Sequence, residues 1–166
     1  MTASEVLGRY VTCPTRYQAD VRRTSIFLAG GITGCPDWQA QIAETPLYRQ
    51  YRVDLLNPRR TTFDVNNAAA TVEQIKWEYD HLAAADAILF WFCADTIQPI
   101  ALLELGAWSR SSKPLFVGVN PLYSRKVDVI EQLKLARPDV RVCLDGLAAL
   151  TWQVEHWLSQ ERLGRS

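Results

Sequence analysis

Two carboxylates stand out for where the sequence puts them. Glu104 lies in "IALLELGAWS", residues 100–109, as the one acid in a run of aliphatic and small residues. Burying an unpaired carboxylate costs on the order of a few kcal/mol, so such a placement asks for a compensating reason. The segment reads as a loop and then a helix with Glu104 in its first turns, where the macrodipole favours the anion. An acid held ionised yet partly desolvated is what a nucleophile or ion-pairing group requires. The second acid, Glu78, falls on a predicted helix over 72–85 whose apolar stripe is Ile75, Tyr79 and Leu82, with Val72 beside it. At about 100° per residue, Glu78 sits on the rim of that stripe, Asp80 well outside it, and Trp77 points away. Two carboxylates at one crevice suit chemistry at an acetal-like carbon, one attacking the carbon and the other managing the leaving group's proton. N-glycosidic bonds are of this kind.

Other candidates follow the ends of predicted strands, where ligands bind in open parallel sheets. "AGGITGCPDWQ" offers Gly30, Gly31 and Gly34 for close backbone approach, then Pro36 and Asp37 at the start of a helix. It is neither GxGxxG nor a P-loop, and a structural tight turn explains the same glycines. "NPRRTTF" places Asn57, Arg59 and Arg60 beside the same crevice, and solvated loop arginines are the alternative there. Asp86 opens the third predicted strand and reads as a turn residue bonding local amides. Trp38, Phe63, Trp91 and Phe92 lie near these loops as residues able to stack on a base, or as core.

The elements that must position these residues are legible as five apolar runs: 25–30, 51–58, 87–93, 114–121 and 140–146. Their hydrophobicity is continuous rather than alternating, which predicts strands covered on both faces and so a parallel sheet between helices. The expected fold is α/β, a flavodoxin-like, doubly wound five-stranded parallel sheet. In "TVEQ", Thr71 is the expected N-cap of the second helix, with Gln74 its capping-box partner. Ser124 is a candidate cap for a later helix that Pro138 ends, and Leu147, Leu150, Val154, Trp157 and Leu158 give the last helix its packing face. Residues 1–23 are expected to form an N-terminal arm or lid, 24–161 a single domain and 162–166 a frayed tail.

Length and composition agree with one globular domain: 166 residues, 48% hydrophobic, formal net charge zero. Balanced charge argues against nucleic acid or a membrane surface as the partner and for a small molecule. The cysteines at 13, 35, 93 and 143 form no CxxC pair and no cluster with His81 or His156, so neither a zinc site nor a redox motif is expected, and all four read as reduced thiols. The N-terminal stretch lacks a signal peptide's apolar segment, and nothing approaches the ~20 apolar residues of a membrane span, so the expected location is cytoplasmic.

The ordered set "SIFLAGGITGCPDWQ", "LLNPRR", "EQIKWEYDHLAAADAILFWF", "LLELGAW" and "KPLFVGVNPLYSRKVDV" resembles the nucleoside 2-deoxyribosyltransferase superfamily, in its shorter phage- and bacteria-associated branch, over about residues 24–145. The resemblance implies a double displacement without metal or cofactor. The Glu of E-x-G, here Glu104, attacks C1′ of deoxyribose, and an acid eight positions before the Asp that opens the third strand, here Glu78, assists the departing base. The family often has Asp at that second position, and Asp80 stands as the alternate. Longer members hold sugar hydroxyls with an Asp six residues before the nucleophile, where this chain has Gln98, with Asp95 three earlier; some nucleotide hydrolases carry a small polar residue there and bind a 5′-phosphate. Members are commonly oligomeric, which implies at least a homodimer here, with Trp77 a candidate contact. The expected activity is cleavage of the N-glycosidic bond of a 2′-deoxynucleoside or its 5′-monophosphate, with transfer to another base or to water. NAD glycohydrolysis and a silent nucleotide-binding module are the alternatives.

Overall fold

The computed structural model describes residues 7–62, 64 and 66–164. In chain order the elements are β1 (Tyr10–Thr12), β2 (Ser25–Gly30), α1 (Trp38–Ala43), α2 (Pro46–Arg49), β3 (Asp54–Asn57), α3 (Ala68–Ala84), β4 (Ala87–Phe92), α4 (Pro99–Trp108), β5 (Leu115–Val119), α5 (Lys126–Ala136), β6 (Val142–Cys143) and α6 (Leu147–Gly164). The strands form one all-parallel sheet in the order β1-β3-β2-β4-β5-β6. This is the flavodoxin-like order with one more strand than expected, because β1 adds to the edge beside β3.

Alternation along the strands feeds two cores. Phe27 and Ala29 of β2 face one side, with Phe90, Phe92, Trp77, Leu82, Leu105 and Val129, so α3, α4 and α5 cover that face. Ile26 and Leu28 face the other, with Leu89, Trp91, Trp38, Ile42, Leu150 and Val154, under α1, α2 and α6. Of the residues expected to pack α6, Leu150, Val154 and Leu158 are buried and Trp157 is half-buried.

From residue 7 onward, the expected arm is bound to the sheet. Asp54 at the start of β3 is fully buried and accepts from Arg9 N, Arg9 Nε, Arg23 Nε and Tyr17 Oη. Burial pushes its carboxyl up, but the hydrogen bonds from Arg23 and Arg9 outweigh this and leave it below the usual carboxylate range. Tyr17 N donates to His81 Nε2, and Trp77 Nε1 donates to the Thr15 carbonyl, so α3 holds the same segment from the other side.

Helix α3 corrects two expectations, and the turn after it a third. Its N-cap is Asn67, whose side chain accepts from Ala70 N; Thr71 lies inside the first turn and donates to the Asn67 carbonyl. Its buried residues are Trp77, His81 and Leu82, while Val72, Ile75 and Tyr79 are 65%, 60% and 75% exposed. The face turned inward is thus set by the aromatic pair that stacks under β2, with Trp77 and His81 ring centroids 3.9 Å apart, and not by the aliphatic stripe. Asp86 bonds not its own turn but Ser25 N and Oγ at the start of β2, 61 residues away in sequence. The cysteines also depart from expectation: Cys35 and Cys93 are paired, brought together because the segments following neighbouring β2 and β4 run side by side, while Cys13 and Cys143 are buried free thiols. No helix among the described residues is long and apolar enough to cross a membrane.

Candidate active site at the strand-order reversal

The sheet order reverses between β2 and β4, and a cavity of about 700 Å³ opens beyond the carboxyl ends of these two strands. Its floor is the backbone leaving β2, Gly30 to Thr33; one wall is α3 with Thr71, Gln74, Ile75 and Glu78; the other is the start of α4 with Thr96 to Ala101 and Glu104. The two carboxylates singled out from the sequence therefore face one space from opposite helices.

Local geometry explains how each wall is held. A Cβ on Gly30 would collide with the Trp91 carbonyl oxygen, and one on Gly31 would collide with Cys35 Sγ and come within 2.9 Å of Gln98 Oε1. The backbone beside the cavity thus passes where no side chain fits. Gln98 is the N-cap of α4 in a left-handed conformation, φ +56°, a strained setting for a non-glycine residue. Its Nε2 donates to the carbonyls of Cys93 and Thr96 and so fixes the amide's orientation, while its Oε1 is buried without a hydrogen-bond partner among the described residues. Pro99 at N1 starts the helix.

Electrostatics separate the two acids. Glu78 Oε1 accepts from Gln74 Nε2 at 2.7 Å. Burial pushes Glu78 above the usual carboxylate range, against that hydrogen bond and the charge of Arg60. Glu104 has no hydrogen-bond or ion-pair partner among the described residues; burial, with Glu78's charge added, pushes it up to about 8. This corrects the expectation that the macrodipole keeps Glu104 ionised: α4 begins at Pro99, so Glu104 sits in the second turn, beyond the first-turn amides that carry the helix charge. Burial and the neighbouring Glu78 charge thus favour the protonated form of Glu104 at neutral pH.

The remaining sequence candidates are placed as follows. Gly30, Gly31 and Gln98 line the cavity with Glu78 and Glu104. Gly34, Asp37, Trp38, Asn57, Arg59, Asp80 and Asp95 do not belong to its lining. Asp37 caps α1 through Ala40 N, and Trp38 is buried with Nε1 donating to the Gly31 carbonyl. Asn57 is buried against Tyr10 Oη, and Arg59 grips Gln39 Oε1 and the Pro36 carbonyl, which anchors the loop after β2 from behind. Asp80 pairs with Arg16 outside the site, and Asp95 is exposed. Of the stacking candidates, Trp38, Trp91 and Phe92 belong to the two cores, and Phe63 lies outside the described residues. Arg60, expected beside the crevice, lines it; the residue missed is Gln74, read from the sequence only as a capping-box partner. The i, i+4 spacing of Gln74 and Glu78 was the available signal, since such pairs face each other on a helix. Among the described residues no group of His, Cys, Asp or Glu could hold a metal ion.

Residues 23–123 match the family described as nucleoside 2-deoxyribosyltransferase like, which spans both carboxylates and the cavity. The chain belongs to that family. Comparison with curated proteins finds no matching relative. The matched segment runs from just before β2 through β5, the part of the fold that builds the cavity, and ends, before α5, at Tyr123, whose Oη donates to the Ile97 carbonyl at the cavity's rim.

Proposed function

We propose that the protein cleaves the N-glycosidic bond of a 2′-deoxynucleoside through a deoxyribosyl ester on Glu104, passing the sugar to another base or to water. The supporting observation is the pair of carboxylates facing one cavity from α3 and α4 in a chain of this family. The proton on Glu104 passes to Glu78, and the Glu104 carboxylate attacks C1′ as the C1′–N bond breaks. The bond's electron pair leaves with the base, and Glu78 returns the proton to the base nitrogen. In the second half an acceptor base or water attacks C1′, gives its proton to Glu78, and frees the Glu104 carboxylate. Ile75, Ile97 and Ile100 give the base apolar walls, and Gln98 Oε1, Thr33 and Thr96 are acceptors for sugar hydroxyls.

The lining favours an uncharged nucleoside over its 5′-monophosphate. Among its described residues two carboxylates stand against one cation, Arg60, which is already engaged by Glu73 at 2.7 Å. A dianionic phosphate would find there a single cation whose charge Glu73 already takes up, and would sit beside Glu78. The test is chromatographic: deoxynucleosides, their 5′-monophosphates and NAD, each with and without an acceptor base. Base release from deoxynucleosides at least about tenfold faster than from monophosphates is expected, a difference of about 1.4 kcal/mol in the barrier. Release only from NAD, or from nothing while thermal shift reports binding, overturns the reading in favour of a glycohydrolase or a silent binding module.

We also propose a homo-oligomer whose contact covers the mouth of the cavity. Ile75, Ile97 and Ile100 line the cavity and are exposed, Val72 and Tyr79 on α3 and Leu103 on α4 are exposed on the same two helices, and Trp77, the contact expected from sequence, is buried and is replaced by them. An apolar surface of this kind calls for a partner. Light scattering should give at least a dimer, and the double variant Tyr79→Glu, Leu103→Glu a monomer; a monomeric wild type at working concentration overturns this.

A further inference from the structure

The cavity holds two acids but an unequal number of hydrogen bonds to them. Gln74 Nε2 donates to the Pro58 carbonyl at 2.8 Å and to Glu78 Oε1 at 2.7 Å, while Gln74 Oε1 accepts from Arg60 Nε at 2.7 Å. This orientation of the amide is fixed from both ends. A carbonyl can only accept and a guanidinium can only donate, so turning the amide over would set oxygen against oxygen and N–H against N–H. Toward Glu78, then, Gln74 presents only a donor. Such a bond is about twice as strong to a carboxylate as to a neutral acid, and nothing comparable reaches Glu104.

We propose that Gln74, oriented by Arg60, is a positioning residue that keeps Glu78 as the ionised member of the pair and so leaves the shared proton on Glu104 in the ligand-free protein. It rests on the reading of Glu78 and Glu104 as a working pair. The groups facing Glu78 are Gln74 on its own helix, Glu104 from α4, Arg60 from the segment after β3 and, at longer range, the Cys13 thiol after β1. Arg60 in turn is held by Glu73 and by a bond from its Nε to Cys13 Sγ, so its guanidinium does not swing free of the amide. The nucleophile is thereby stored as a neutral acid inside an apolar wall, and becomes an anion only when its proton moves to Glu78 for the departing base. No oxidant or added acid is required: the proton leaves Glu104, serves the base and is restored by the acceptor.

The test needs no substrate. Carboxyl carbons of isotopically labelled Glu are followed by NMR against pH, with Glu78→Gln and Glu104→Gln assigning the two signals. The wild type should show Glu104 titrating above Glu78. In Gln74→Met, which keeps the volume and removes both polar atoms, the Glu78 midpoint should rise and that of Glu104 fall, each by about one pH unit. Arg60→Lys, which keeps the charge but loses the Nε donor, should give part of the same shift. The pH profile of base release should move with the midpoints. A wild type in which Glu78 titrates above Glu104 overturns the proposal even where a variant fails to fold, and so does a folded Gln74→Met with unmoved midpoints. The expected shifts in a protein that releases no base from any substrate uphold the proton placement and overturn the glycosidic reading alone.

Discussion

Glu104→Gln is expected to abolish base release, by at least about 10³-fold, and at the same time to make the protein more stable above neutral pH. Loss of release follows because the amide cannot form the sugar ester. The gain in stability follows from linkage. Glu104 is pushed up to about 8 in the folded chain, against an ordinary 4.5. Between these two values the native state holds a proton that the unfolded state has released, so stability falls as pH rises through this window and levels off above it. Full displacement at 1.36 kcal/mol per unit sets an upper figure of about 5 kcal/mol, reduced because the side chain is only partly enclosed. Glutamine cannot ionise and escapes that loss. Melting temperatures of the wild type and Glu104→Gln at pH 5, 7 and 9 should therefore coincide at the acid end and diverge in the variant's favour toward pH 9. Parallel curves would mean that Glu104 is ionised throughout, which would return the role of ionised resting acid to it and take it from Glu78.

The site also shows what kind of information the sequence carried. Strands β2 and β4 were readable to within a residue, because both faces of the central strands are covered and the apolar run begins and ends with the strand. Strand β1 was not. Its three residues have no period of their own, and they pair only because Asp54 gathers Arg9, Arg23 and Tyr17 at the sheet's edge, contacts that exist after folding. On α3 helical-wheel geometry ranks Glu78 above Asp80 for access to the cavity, and the structure has Glu78 in the lining and Asp80 outside it, yet the same wheel turns Trp77 outward and Tyr79 inward, where the structure buries Trp77 and exposes Tyr79. A periodic pattern gives the angle between residues and not which neighbour covers the face. Here two apolar faces compete, one for the sheet and one beside the cavity mouth. The cysteine pair failed for a related reason, since 58 residues separate Cys35 from Cys93 and only the adjacency of β2 and β4 brings them together.

Gly30→Ala is the substitution expected to damage the folded state most for its size. Gly30 ends β2 opposite Trp91 in the register with β4, at φ +150°, where an L side chain is strained. The added methyl would collide with the Trp91 carbonyl oxygen and touch Trp38 Cζ2 at 3.0 Å. The first obstacle is backbone of the central strand pair, which a rotamer change cannot clear, and the second is a buried indole already donating to the Gly31 carbonyl. Relief requires β2 and β4 to part at the edge of the cavity. A loss of about 3 kcal/mol or more is expected, read as a fall in melting temperature of roughly 6–12 °C for a chain of this length. The same chemical change at Gly106, inside α4, should do the reverse: its Cβ meets nothing within 4 Å, and alanine is the better helix former by about 1 kcal/mol. Thermal melts of the two variants side by side separate crowding from helix propensity. If Gly106→Ala also destabilises, the open space beside it in one chain is filled by a second copy, and light scattering on that variant should then report a weakened oligomer.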